Sequence, residues 1–246
     1  MSETAILDDH GFRVRGTQPT RADAFVDAAF AFAVTLLVIA IGHVPSSVPE
    51  LVQAMRGVPA FAASFFLIAR FWQAHRHWSR RYGIEDDYSV RLSLALVFIV
   101  LVYVYPLRMV ATMVMAMVSG GVLAEQQIDI QSVDELRALF VTFAIGYAVV
   151  AAIFALLYRH ALTRADAIGL SPGERVRTRS AIVVHAAIAG LALLSLLLAL
   201  LLPSVPATSL NYSIPGLVYM LIYLIRPLVA RREHAALAAL GAERAA

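Results

Sequence analysis

The segment Arg21-Ala-Asp-Ala-Phe25-Val-Asp27-Ala-Ala-Phe30-Ala-Phe32-Ala-Val-Thr35-Leu36-Leu37-Val-Ile39 decides how the rest of the chain is read. It has no Pro or Gly to break a helix. Its apolar run, with the residues up to Gly42, approaches the roughly 20 residues that a helix needs to cross a hydrocarbon core about 30 Å thick. At about 100° per residue, Phe32, Thr35, Leu36 and Ile39 share one stripe, extended by Phe25 and Ala28. Asp27 lies roughly 140° away from Phe32 by the same turn, so the carboxylate and the stripe face different neighbours. Ala28, Ala29, Ala31 and Ala33 allow close approach of another helix.

Working outward, comparable apolar stretches recur along all 246 residues, of which 60% are hydrophobic and 15% charged. Soluble domains hold roughly 45–50% apolar and about 25% charged residues. The pattern predicts an all-α membrane protein, a bundle of six transmembrane helices. They are placed at 22–42, 57–79, 89–118, 134–160, 176–202 and 212–230. Residues 1–20 read as an N-terminal arm, 21–230 as the membrane domain, and 231–246 as a tail that is either a polar extension of helix six or disordered. The opening MSETAILDDH is acidic and polar, unlike a secretory leader, so the first apolar stretch reads as a retained helix.

All 20 basic residues are Arg. They alternate by loop: Arg13, Arg15 and Arg21 precede helix one; Arg76, Arg80, Arg81 and Arg91 surround the second connection; Arg159, Arg164, Arg175, Arg177 and Arg179 surround the fourth; Arg226, Arg231, Arg232 and Arg244 end the chain. The third connection is acidic instead, with Glu125, Asp129, Asp134 and Glu135. The positive-inside rule then puts both termini in the cytoplasm. The expected location is a cell membrane, specifically a bacterial inner membrane.

Several chemistries are excluded. There is no cysteine, hence no disulfide, thiolate site or cysteine nucleophile. No Gly-rich phosphate loop, His-Glu-x-x-His, Gly-x-Ser-x-Gly or Thr-Val-Gly-Tyr-Gly filter occurs. The expectation is a protein that is not an enzyme and carries no cofactor, catalytic residue or metal. No nucleic-acid partner is expected.

Asp27 has two readings: an interfacial carboxylate favoured by the helix dipole, or a buried tie or ion site between helices. Trp72 and His75 share a face near the same end of helix two. They are either part of an aromatic belt or partners that reach Asp27. Arg108, two residues past Pro106, reads as a cation snorkelling at the outer edge or pairing with the acidic connection, with a functional intramembrane Arg as the alternative. His160 and His185 read as packing or interfacial histidines rather than haem ligands.

The pattern Arg-x-x-x-Phe-Ser-Asp before an alanine-rich helix with Thr-Leu-Leu resembles the endosomal and lysosomal potassium channel family known as transmembrane protein 175, in its prokaryotic single-repeat form. Here it reads Arg21-x-x-x-Phe25-Val26-Asp27, then Thr35-Leu36-Leu37. Trp72-x-x-His75 and Pro106 extend the resemblance over about the first 110 residues. The resemblance implies a homotetramer in the lipid bilayer whose four first helices line a pore for potassium or other monovalent cations. It implies a constriction at Phe32, with Leu36 and Ile39 outside it, Thr35 adding a hydroxyl, and Arg21, Phe25, Asp27, Trp72 and His75 as the network that holds helix one. Val26 replaces the motif Ser, and Phe32 stands where Ile or Leu is usual. The reading is a potassium-permeable leak channel; the alternative is a secondary transporter or proton-coupled carrier, whose midplane site, broken helices and repeats are not evident.

Overall fold

A computed structural model describes residues 7–8, 11–40, 44–123, 130, 132–201 and 214–245. Among them the chain is almost wholly helical. The helices are α1 (Arg21–Ile39), α2 (Val48–Arg56), α3 (Val58–Tyr82), α4 (Asp87–Val118), α5 (Val133–Thr163) and α6 (Pro172–Leu200). A short α7 (Ile214–Leu217) and a 3₁₀ turn (Val218–Leu221) lead into α8 (Ile222–Ala245). Five helices are long and apolar enough to cross a membrane, and the pair α2–α3, bent by 44°, makes a sixth span if counted as one.

The ends of the helices follow their caps. Thr20 and Asp23 form a capping box that starts α1 at Arg21. Ser171 and Glu174 do the same for α6, which therefore begins at Pro172 and not at 176. Asp86 and Ser89 start α4 at Asp87. The second span corrects the expected 57–79 most: α2 precedes it, Gly57 marks the bend, and α3 runs on to Tyr82, where Gly83 closes it at φ 59°. The sixth span is interrupted by its 3₁₀ turn, and its helix continues through the segment read as a tail to Ala245. The expected end of helix one at 42 and start of helix six at 212 fall on residues outside those described.

The core joins one stripe of α1 (Val26, Phe30, Ala33 and Leu37) to Ile68 and Phe71 of α3, Leu96, Val100 and Val104 of α4, and Phe154 and Leu157 of α5. In lipid the solvent is itself apolar, so these contacts stabilise by dispersion and close fit rather than by escape from water. One fit is very close: a Cβ at Gly146 of α5 would collide with the Tyr103 ring of α4.

At the Arg-rich end the arm before α1 folds back on the bundle. The backbone N–H groups of Arg15 and Gly16 donate to the Arg80 carbonyl. The Arg15 guanidinium donates to both Glu174 carboxylate oxygens, at 2.9 and 3.0 Å, and to the carbonyls of Ile168, Gly169 and Arg81. Phe12 is buried edge-on against Tyr82, with the Arg81 guanidinium over its ring. Arg81 also pairs with Asp8. Nearby, Asp86 accepts from the Ser89 N–H, His160 and Arg164 and so ties α4 to α5.

Two measurements follow. Glu174→Ala strands the mostly buried Arg15 guanidinium, and unfolding in detergent is expected to show a loss of about 3–5 kcal/mol. Burial alone pushes the Asp86 carboxyl upward, but the Ser89 N–H and the His160 bond outweigh it and hold it down to about 2. A depressed carboxylate stabilises the fold above its unfolded pKa near 3.8 and loses that contribution as pH falls toward 2. Melting temperature against pH should therefore drop more steeply between about pH 4 and 2 in the wild type than in Asp86→Asn.

Candidate functional site

Helix α1 has two unlike faces. Val26, Phe30, Ala33 and Leu37 are buried, and successive members are three or four residues apart. The opposite stripe is uncovered: Phe32 is 54% exposed, Ile39 62% and Phe25 54%, with Ala28 and Thr35 exposed between them. Leu36 is half-buried at the stripe's edge. The Thr35 hydroxyl donates to the Ala31 carbonyl at 3.1 Å, which leaves its oxygen lone pairs facing outward as acceptors. An apolar band with one hydroxyl thus runs along the side of α1 that the bundle does not cover.

The polar side of α1 meets α3. Trp72 Nε1 donates to Asp27 Oδ1 at 2.7 Å, and the Arg76 guanidinium lies 5.4 Å from the Trp72 ring centre. The contact fixes the rotation of α1 about its own axis, because Asp27 sits between the buried and open stripes. A polar cavity of about 450 Å³ adjoins it, lined by Asp23, Asp27, Trp72, His75, Arg76 and Ser79 among others.

His75 does not bond Asp27. Its Nε2 lies 2.9 Å from the Ser93 hydroxyl of α4, and the residue is only 4% exposed. Ser93 in turn donates to the Ser89 carbonyl at 2.9 Å. The reason is geometric: His75 follows Trp72 by three residues, about 300° of helix turn, enough to aim its ring at α4 while Trp72 reaches α1. Ser93 went unnoticed in the sequence, although Ser89-x-x-x-Ser93 places two hydroxyls on one face of an apolar helix.

Arg21 and Phe25 stand on the open face with Phe32 and Ile39. Among the described residues, Arg21 makes no hydrogen bond or ion pair with Asp27, Trp72 or His75 in the single chain. Arg108 corrects the snorkelling expectation. It is 7% exposed, and its Nη1 donates at 3.1 Å to the Gly57 carbonyl, which also accepts the Phe61 N–H in the first turn of α3. His185 stacks on Phe154 and Tyr158 at 5.1 and 5.5 Å, a packing role. His160 is the Asp86 partner. Among the described residues no group of three His, Asp or Glu side chains could hold a metal ion.

A family model described as the endosomal/lysosomal potassium channel TMEM175 matches residues 21–106, the span that carries the motif, Trp72, His75 and Pro106. A protein of Marivirga tractuosa named "Potassium channel" is 32% identical over 206 residues, which is 82% of this chain and 83% of its own. The crystal structure of a variant of the potassium channel MtTMEM175, bound to a nanobody–MBP fusion, superposes with a TM-score of 0.77 at 28% identity, over 94% of this chain and 100% of that one. A TMEM175 homologue from Chamaesiphon minutus shares the fold, at a TM-score of 0.54 and 20% identity, over 87% of this chain and 96% of that one.

The two polar ties should differ in weight. Ser93→Ala leaves the buried His75 ring nitrogen unpaired and is expected to cost about 1–3 kcal/mol. Trp72→Phe frees a carboxylate that water can reach and should cost about 1 kcal/mol or less. Thermal unfolding of the two variants side by side checks the order.

Proposed function

This chain belongs to the endosomal/lysosomal potassium channel TMEM175 family, and from that membership we propose that it is a potassium-permeable leak channel built from four copies, with α1 of each lining the pore. The observation that carries the reading is the uncovered apolar stripe on α1. A helix whose back is packed and whose front is open needs something against that front. Four such fronts around an axis give a narrow ring of Phe32 with Leu36 and Ile39 outside it, and Thr35 supplies hydroxyl oxygens beside the ring.

A pore of this kind has no carbonyl filter. An ion passing Phe32 sheds part of its water, and the cost of doing so discriminates among cations. The rings also present π faces to which a cation is attracted. Trp72 and Asp27 keep the stripe turned inward, and the His75–Ser93 bond holds α3 against α4 behind it. Both termini lie in the cytoplasm in this reading, since every Arg-rich loop falls on one side. The chain then sits as a multi-pass protein in the bacterial inner membrane.

Flux from liposomes under potassium, sodium and proton gradients tests the proposal. Potassium-driven, non-saturating flux from tetramers is the expected result. Saturable, coupled flux would favour a secondary transporter, and no flux from well-folded tetramers would remove the channel reading. Phe32→Ala is expected to raise single-channel conductance several-fold, of the order that widening an apolar constriction allows. An unchanged conductance would mean that Phe32 is not the narrowest point.

A further inference from the structure

Two arginines and a histidine of the spanning helices line one cavity of about 470 Å³. Arg70 comes from α3, Arg226 from α8 and His185 from α6. No carboxylate lines this cavity, and among the described residues neither guanidinium has a hydrogen bond or ion pair within the chain. Arg70 lies midway along the 25 residues of α3. His185 lies six residues inside Arg179, about 9 Å of helix rise below the Arg-rich end. An arginine midway along a spanning helix, with a second lining the same cavity and no carboxylate there, is costly in a membrane, and such residues mark a ligand or an ion path.

The cavity opens in two directions. Toward the Arg-rich end it shares His185 and Arg226 with a second cavity of about 690 Å³, which reaches Arg81 and Arg177. In that second cavity Glu233 lies 3.9 Å from Arg177. Toward the other end it shares Leu67, Tyr147, Tyr219 and Met220 with a cleft of about 460 Å³ that is almost wholly apolar, walled by Met113, Val114 and Met117. The 3₁₀ turn at Val218–Leu221 forms part of that wall and departs from regular helix where the cleft passes.

We propose that this cleft binds an anionic phospholipid of the leaflet on the Arg-rich side, with its phosphate held between Arg70 and Arg226 and one acyl chain in the methionine-walled cleft. Arg suits the headgroup because its planar fork pairs with phosphate oxygens two at a time. Basic pockets between spanning helices take such headgroups from the adjoining leaflet. Flexible methionines adapt to a chain of no fixed conformation. A free anion leaves the apolar half of the cleft without a role, so a lipid fits the whole of it. The site ties α8 to α3, two helices that otherwise meet little.

Native mass spectrometry of the purified full chain tests this, with dioleoylphosphatidylglycerol, dioleoylphosphatidylcholine and inorganic phosphate as probes. The wild type is expected to retain the glycerol lipid about tenfold over the choline lipid, because both offer the same phosphate but the choline cation is repelled by the two guanidiniums. Arg70→Gln with Arg226→Gln should abolish that preference. If that pair of changes prevents folding, Arg226→Gln alone, at an exposed residue, should reduce it. Val114→Trp, which fills the cleft and leaves the arginines in place, should weaken retention of both lipids. Equal retention of the two lipids by the wild type, or an unchanged preference in Arg226→Gln, would overturn the proposal. So would displacement of the lipid by inorganic phosphate that is itself retained, since the site would then take the free anion. The readout is binding, so it is independent of whether the chain conducts.

Discussion

The structure depends on the one-sided burial of α1. Val26, Phe30, Ala33 and Leu37 pack against α3 and α4, and two of them, Ala33 and Leu37, are wholly enclosed. In a bilayer a helix gains little by hiding apolar surface from lipid, so which face it buries is set by fit and by polar partners. Ala33 supplies the fit by letting a neighbour close in. The Trp72–Asp27 bond supplies the polar partner on the flank. Together they leave Phe32 and Ile39 pointing away from the bundle.

The root of α1 is held as firmly as its side. The arm from Gly11 to Thr20 crosses the ends of α3 and α6, and Arg15 gathers the Glu174 carboxylate and four carbonyls around one guanidinium. Close backbone passage makes this possible. A Cβ at Gly16 would meet the Ser79 carbonyl at 2.8 Å, and Gly83 turns beside Arg15 in the left-handed region. The arm therefore couples the start of α1 to the α5–α6 connection some 150 residues later. At the far end Arg108 reaches the bend between α2 and α3 through the Gly57 carbonyl, adding a side-chain donor to the Phe61 N–H that the same oxygen accepts.

These ties divide the bundle into two regions of different character. Around α1, α3 and α4 the polar contacts are specific and closed: Asp27 with Trp72, His75 with Ser93, Asp86 with His160. Around α8 they are open, with Arg70 and Arg226 facing a cavity that no carboxylate enters. The first region fixes the proposed pore helix. The second leaves room for a molecule from the membrane, and the proposed lipid would complete its packing.

Composition, the alternation of Arg-rich loops and the length of the apolar runs determined that the chain is a helical membrane protein of about six spans. Those signals are local or additive, so they need no knowledge of what touches what. The motif from Arg21 to Asp27 with Trp72 and His75 was likewise readable, as was the stripe of Phe32, Thr35, Leu36 and Ile39, because a fixed turn per residue assigns faces in advance. Only the tertiary structure decided that His75 belongs to Ser93 rather than Asp27, that Arg108 is buried on Gly57, and that Arg15 finds Glu174. Each is a contact between segments far apart in the chain, chosen by helix rotation and crossing, which periodicity within one helix does not encode. The capping boxes show the boundary between the two kinds of information: Thr20-x-x-Asp23 and Ser171-x-x-Glu174 were written in the sequence, but the second role of Glu174, as the anchor of Arg15, exists only once the arm has folded back.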